Sequence, residues 1–336
     1  MDSSRLELPA ALIRSALRLP GGRQWLGDWS SILTEHLTLW DLTLDLPSGG
    51  QPWAGQCGVV VPVLEHSGGK AVLKITLPHD EALPEPDALE LWEGEGAVRL
   101  LRADRSAYTL LLERLDGNTS LASLSLDETV SVWGALVRRL ALVPDDRASW
   151  AAVPLLAAEA ETWTDTLPAD WEGLDRPFPR WLLEHALITC QQRGIVGRRA
   201  EADVLVHTDL HYFNILRSHA GPEAFQDDGA WKAIDPKPVL GDAEYAVAPM
   251  LWNRIAELDA ADPTAQLRLR CAALADAAGL DPELARDWSV VREVRNALHY
   301  LGEGNKDQAE RSLWVASSLL ARTLPGLPPA AELAEF

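Results

Sequence analysis

The stretch Val204-Leu205-Val206-His207-Thr208-Asp209-Leu210-His211-Tyr212-Phe213-Asn214-Ile215-Leu216 sets an Asp and an Asn on a turn between apolar, strand-like segments. Further along, Trp231-Lys232-Ala233-Ile234-Asp235-Pro236 sets a second Asp at the end of another such segment. Turns at strand ends hold side chains firmly yet leave them facing open space. That suits a carboxylate that takes a proton from a hydroxyl, and hard oxygen donors that hold Mg²⁺. Phosphoryl transfer needs that set plus one cation on the phosphates, since its demands are mainly positioning and charge neutralisation. Asp209, Asn214 and Asp235 supply the oxygens, and Lys74, in Val72-Leu73-Lys74-Ile75, supplies the cation.

Elements must carry these residues to one place. Pro9 to Arg18 and Gln24 to Glu35 have helical periodicity, the first opened by Pro in its first turn. Leu37 to Leu46, Gly58 to Leu64 and Ala71 to Thr76 read as strands. Ser67-Gly68-Gly69 makes a hairpin of the last two, and residues 47–57 form the longer connection before them. A helix near Pro86 to Trp92 precedes two further strands, Ala97 to Ala103 and Tyr108 to Leu112. From Leu126 onward the pattern is helical, interrupted by the strand-rich 204–235 region, and no internal repeat occurs.

At 336 residues the chain exceeds what one core usually supports, so two packed lobes are expected. Hydrophobic content of 47% with 24% charged residues is that of a globular protein. No apolar run reaches membrane-spanning length and the first residues lack signal-peptide order, which predicts a cytoplasmic protein without a membrane partner. Cys57, Cys190 and Cys271 are widely spaced and read as buried, reduced thiols. A net charge of -20 argues against nucleic acid as a partner; it fits a cationic small molecule and equally a surface that serves solubility alone, and a monomer is expected.

A small β-rich lobe, a connector and a larger helical lobe bearing the Asp209 turn is the order of a two-lobed, protein-kinase-like α+β fold. His207-x-Asp209-x-x-x-x-Asn214 resembles the catalytic loop of eukaryotic-like kinases. Within that class the chain resembles the aminoglycoside phosphotransferases, specifically the streptomycin and hydroxyurea branch, over residues 20 to 320. Three further segments carry the likeness: Ala233-Ile234-Asp235-Pro236-Lys237-x-x-x-Gly241-Asp242, Leu91-Trp92-x-Gly94-x-Gly96-Ala97-Val98-Arg99-Leu100-Leu101, and Leu112-Glu113-Arg114.

The resemblance implies ATP and Mg²⁺ as cofactors and a role for each matching position. Asp209 would orient and deprotonate the acceptor hydroxyl, while Asn214 and Asp235 would hold the metal. Lys74 would contact the α- and β-phosphates. Glu85 would pair with it, with Glu81 and Glu90 as alternatives because Pro84 and Pro86 flank Glu85. Glu113 and Leu115 would read adenine through their backbone. With no Gly-x-Gly-x-x-Gly, phosphate contacts fall to amides of Gly49, Gly50 or Gly55. The implied division is an N-terminal lobe over 1–112, a hinge over 113–118, a helical lobe with the acceptor site over 119–324, and a tail over 325–336.

His207 reads as a structural histidine bonding the loop backbone, and His211 as a group that either packs or contacts the acceptor. Asp242 and Glu244 follow Asp235 closely enough to face the cleft and pair with a cationic acceptor, whereas Glu159, Glu161, Asp165 and Asp170 read first as solvated helix faces and second as a wall of the acceptor site. Trp163, Trp231 and Trp252, of fourteen tryptophans, are candidates for stacking on it. Thr208 and Phe213 depart from the residues common in the family. The expected activity is phosphorylation of a hydroxyl on a streptomycin-type aminocyclitol. A metabolic kinase of a small amino sugar or amino alcohol is the alternative. A non-catalytic nucleotide-binding pseudokinase is disfavoured by Lys74, Asp209, Asn214 and Asp235 occurring together.

Overall fold

A computed structural model describes residues 6–47, 50–219 and 230–333. Helices α1 (Ala10–Ala16) and α2 (Gly22–Leu39) come first. Gly21, at φ 74, turns the chain between them in the left-handed conformation that suits glycine. The strands that follow are β1 (Leu42–Leu44), β2 (Trp53–Ala54), β3 (Gly58–Glu65) and β4 (Lys70–Thr76). Helix α3 (Glu85–Trp92) then leads to β5 (Leu100–Asp104), β6 (Thr109–Glu113) and β7 (Asp116–Ser120). All but β7 join one antiparallel sheet in the order β1-β3-β4-β6-β5, with β2 added to β3.

Alternation along β4 decides what this sheet can do. Ala71, Leu73 and Ile75 point to one face and bury against Leu12, Trp25, Trp29 and Leu33 of α1 and α2. Val72 and Lys74 point to the other face, where Val72 joins the main core with Ala88, Leu89 and Trp92 of α3. The amphipathic α1 and α2 thus seal one side of the sheet and leave the other for α3 and a cleft.

The remainder is built on α4 (Leu126–Leu140), α5 (Leu156–Gly173) and α6 (Arg180–Arg193). Next come β8 (Val204–His207), β9 (Ile215–Arg217), β10 (Trp231–Ala233) and β11 (Pro238–Gly241). Helices α7 (Ala248–Trp252), α8 (Pro263–Ala278), α9 (Pro282–Gly302) and α10 (Lys306–Leu319) complete the fold. Ser125 and Glu128 close a capping box at the start of α4. Helix α9 packs on α6, α8 and α10, while α4 crosses α8 at Gly134, where a Cβ would lie 2.6 Å from the Ala277 carbonyl. Buried Trp133, Trp288 and Trp314 fill the core between these helices.

Several expected boundaries move. Helix α2 runs through Leu39, so the expected strand from Leu37 shrinks to Leu42–Leu44; Leu37 to Trp40 alternates in polarity but Trp40 N–H still bonds His36 O at 3.0 Å. The expected strand at Ala97 begins at Leu100, because Ala97 instead bridges Ala233. Strands β2, β7 and β11 lie outside the expected set. Cys57 is half-buried, whereas Cys190 and Cys271 are buried as expected. No described helix is long and apolar enough to cross a membrane.

Candidate active site

Two antiparallel strand pairs place the chemistry. Strand β8 pairs antiparallel with β11, with Pro238 opposite His207, and β9 pairs with β10, with Ala233 opposite Ile215. Their connections, 208–214 and 234–237, therefore lie side by side. Ile234 N–H donates to Asn214 O at 2.9 Å, and Thr208 N–H to Lys237 O at 3.2 Å. His207 Nε2 bonds Ile234 O at 3.0 Å, and its Nδ1 accepts from Asp209 N–H at 3.2 Å. These contacts make His207 the strut between the two loops. Burial pulls its pKa down to about 4, so the ring is neutral at pH 7.

The Asp209 turn is anchored from beneath. Leu210 and Tyr212 are fully buried; the Leu210 carbonyl accepts from Trp133 Nε1 at 3.1 Å, and the Tyr212 ring lies under Arg254 and Arg270. Asp209, the residue before Leu210, keeps its side chain 19% exposed. Arg292 of α9 lies 3.3 Å from its Oδ1, and Lys237 lies 3.6 Å from its Oδ2. Arg292 also donates to Thr208 O. Burial alone would raise the Asp209 carboxyl, but Lys237 and Arg292 outweigh it and hold the group below the usual range.

Asp235 meets the sheet across the cleft. Lys74 Nζ lies 2.5 Å from Asp235 Oδ1 and 2.6 and 2.7 Å from the Glu85 oxygens. Of the three candidate partners on that segment, Glu85 is the one that reaches Lys74; Glu81 pairs with Lys237 and Glu90 with Arg105. Pro84 and Pro86 do not prevent this, because Pro86 falls in the first turn of α3, where its missing N–H has no helical partner to lose. Burial lowers the Lys74 pKa, but Asp235 and Glu85 reverse that and raise it. Lys74 pulls Asp235 down to about 2, while burial pushes the Glu85 carboxyl up. Asp235 adopts φ 56, a strained conformation for a side-chain-bearing residue.

Donors suited to a hard cation are present. Asn214 gives Nδ2 to Asp209 O at 3.0 Å, which leaves its amide oxygen, and Asp235 commits only Oδ1 to Lys74. One amide and one carboxylate oxygen fit Mg²⁺, whose shell substrate phosphates and waters would complete.

Most of the other expected site residues have partners of their own. Glu113 bonds Arg99 N–H at 2.7 Å through its side chain and pairs with Lys232, tying β6 to β10. Leu115 is buried, and among the described residues its N–H has no hydrogen-bond partner. Gly50 and Gly55 donate their amides to Pro47 O and Gly58 O, so neither amide is open to a phosphate; Gly49 lies outside the described residues. His211 caps its own turn by accepting from Phe213 N–H at 3.2 Å, and burial lowers its pKa.

The structure does not bring Asp242 and Glu244 to Asp209 through any described contact. Strand β11 runs from Pro238, beside His207, to Gly241, beside Val204, so Asp242 lies past the far end of the β8–β11 pair. Asp242 Oδ2 accepts from Trp288 Nε1 at 2.9 Å and its Oδ1 faces Arg193 at 3.7 Å, while Glu244 Oε1 accepts from Asp281 N–H at 3.1 Å. Glu161, Asp165 and Asp170 are exposed on α5; Glu159 is half-buried, with its pKa raised by burial against the pull of Arg295. Trp163 is buried under Arg295, Trp252 under Arg311, and Trp231 sits half-buried in β10. Lys237 stands in the Asp235-Pro236-Lys237 run, where the pattern by itself assigns it no role. Arg292 is set on Asp209 by the packing of α9, which leaves no local sequence signal.

Comparison with known proteins matches this architecture. The profile of the family described as aminoglycoside/hydroxyurea antibiotic resistance kinase matches residues 44–304. A streptomycin 6-kinase of Streptomyces glaucescens is 32% identical over 95% of this chain and 99% of its own length. A hydroxyurea phosphotransferase of Kitasatospora aureofaciens is 32% identical over 94% of this chain and 87% of its own. Among solved structures, an amicoumacin kinase in complex with AMP-PNP and Ca²⁺ superposes with a TM-score of 0.56 at 13% identity, covering 91% of this chain and 96% of that one. That last likeness is one of fold. A profile spanning most of the chain and relatives matched nearly end to end place this protein in the aminoglycoside/hydroxyurea antibiotic resistance kinase family, as a phosphotransferase.

Proposed function

We propose that the protein transfers the γ-phosphoryl group of ATP, with Mg²⁺, to a hydroxyl of a streptomycin-type aminocyclitol. One observation carries the reading: Lys74, paired with Glu85, meets Asp235 in the same cleft where Asn214 holds the Asp209 turn. Asp209 receives the hydroxyl proton and orients the acceptor oxygen, and Asn214 and Asp235 hold the metal. The metal, when bound, neutralises charge on the phosphates. Lys74 contacts the α- and β-phosphates, and the backbone from Glu113 to Leu115 reads adenine, which the Leu115 N–H, without a partner among the described residues, supports. On this reading residues 113–118 are the hinge. The streptomycin 6-kinase relative and the net charge of -20 support a cationic acceptor.

A second reading takes a small neutral hydroxyl compound as acceptor. It is favoured by Lys237 and Arg292 beside Asp209 and by the existing partners of Asp242 and Glu244. The hydroxyurea phosphotransferase relative supports it.

Measuring kcat/KM for streptomycin, hydroxyurea and a neutral inositol at low and moderate salt separates the two. The aminocyclitol reading expects streptomycin to be preferred, with an acceptor KM that rises steeply with salt. Preference for hydroxyurea with a flat salt profile would overturn it in favour of the neutral acceptor.

A further inference from the structure

Lys237 combines three properties that, among the described residues, no other cation of the cleft shares. Its backbone is clamped, because its carbonyl accepts from both the N–H and the hydroxyl of Thr208, at 3.2 and 2.8 Å. Its ammonium stands 3.6 Å from Asp209 Oδ2, an ion-pair distance beyond the usual hydrogen bond. Its other partner, Glu81 at 3.1 Å, is 64% exposed and sits on the turn Asp80–Ala82 that joins β4 to α3. Lys74 is held between two carboxylates, and Arg292 is fixed on Thr208 O with its side chain 16% exposed. The Lys237 side chain, 41% exposed, is open to an incoming anion, and the Glu81 carboxylate already sits where such an anion would go.

We propose that Lys237 is a further catalytic residue, the cation that touches the transferred phosphoryl group, and that Glu81 holds its ammonium until the terminal phosphate of the nucleotide displaces it. This rests on the cleft being an ATP site. In the transfer, the acceptor oxygen forms a bond to the γ-phosphorus as the bond from that phosphorus to the β–γ bridging oxygen breaks. The electron pair of the broken bond leaves with ADP, and the hydroxyl proton goes to the Asp209 carboxylate. Lys237 exchanges no proton; it neutralises the non-bridging oxygens in flight.

Calorimetric titration of the full-length protein with Mg·AMP-PNP and with Mg·ADP tests this without any acceptor. Lys237→Met should weaken AMP-PNP binding about tenfold and leave ADP binding unchanged, because only the former carries the group that Lys237 touches. Glu81→Gln should tighten AMP-PNP binding several-fold, again with ADP unchanged. With streptomycin or hydroxyurea, whichever the wild type turns over, Lys237→Met should lower kcat about a hundred- to a thousandfold, and Lys237→Arg should restore part of it. Equal losses for both nucleotides, or no loss for either, would overturn the proposal while leaving the ATP site standing. A wild type that binds neither nucleotide would remove the underlying reading and the proposal with it.

Discussion

Lys74 Nζ lies 2.5 Å from Asp235 Oδ1, across 161 positions of sequence, and the two residues reach each other from opposite walls of the cleft. Lys74 arrives on β4, whose alternation points it away from the α1–α2 core. Asp235 arrives on a turn bonded through Ile234 N–H to Asn214 O. The contact holds the sheet face and the Asp209 turn in register, so substitutions on either side should be felt in turnover.

Asp209→Asn should lower kcat by about two to four orders of magnitude and leave KM for ATP nearly unchanged, as expected for loss of a positioned base. Steady-state kinetics with the preferred acceptor checks this. Turnover within a few-fold of wild type would remove Asp209 from the chemistry.

Asp235→Ala should abolish Mg²⁺-dependent AMP-PNP binding in a folded protein, read by titration with and without Mg²⁺. Asp235→Gly should lose binding equally, yet be more stable than the Ala variant by roughly 1 kcal/mol, since glycine accepts φ 56 without strain. Equal denaturant midpoints for the two variants would argue against strain at this turn.

Stability should depend on pH through His207. Its folded pKa, about 4, lies below the ordinary 6.5, so above pH 6.5 neither state binds the proton and the ring has no effect. As pH falls below 6.5 the unfolded chain gains a proton that the buried ring refuses, and stability declines until about pH 4. Between pH 7 and 5 this amounts to about 2 kcal/mol. Urea unfolding of wild type and His207→Gln at both pH values should show the smaller decline in the variant; equal declines would locate the titration elsewhere.

Gly134→Ala should destabilise the protein by about 1–3 kcal/mol, because the added methyl meets the Ala277 backbone where α4 crosses α8. An unchanged unfolding midpoint would mean that the two helices can part without loss.

Much of the site is written in short, local patterns. His207, Asp209 and Asn214 share one turn, Asp235 follows its own strand, and Lys74 occupies a strand whose alternation fixes its direction. The parts that escaped depend on distant partners. Asp116–Ser120 reads as a turn by composition and becomes a strand only by pairing with β9. Pro238–Gly241 opens with Pro and ends with Gly, yet Pro is tolerated as the first residue of a strand. By chain distance alone Asp242 and Glu244 lie near Asp235; strand β11 carries them away from it. Arg292 reaches Asp209 only through the seating of α9, and no nearby residue announces it.

The packing of α1 and α2 on the rear of the sheet also decides where damage far from the chemistry becomes visible. Leu73 and Ile75 hold β4 by burying against Trp25, Trp29 and Leu33, and Lys74, between them in sequence, inherits its placement from that grip. Inactivating lesions should therefore gather at Trp25 and Trp29 as well as in the cleft. In a mutational screen they would look like defects in nucleotide handling, and chemical shifts on β4 would show the cause to be a strand set adrift.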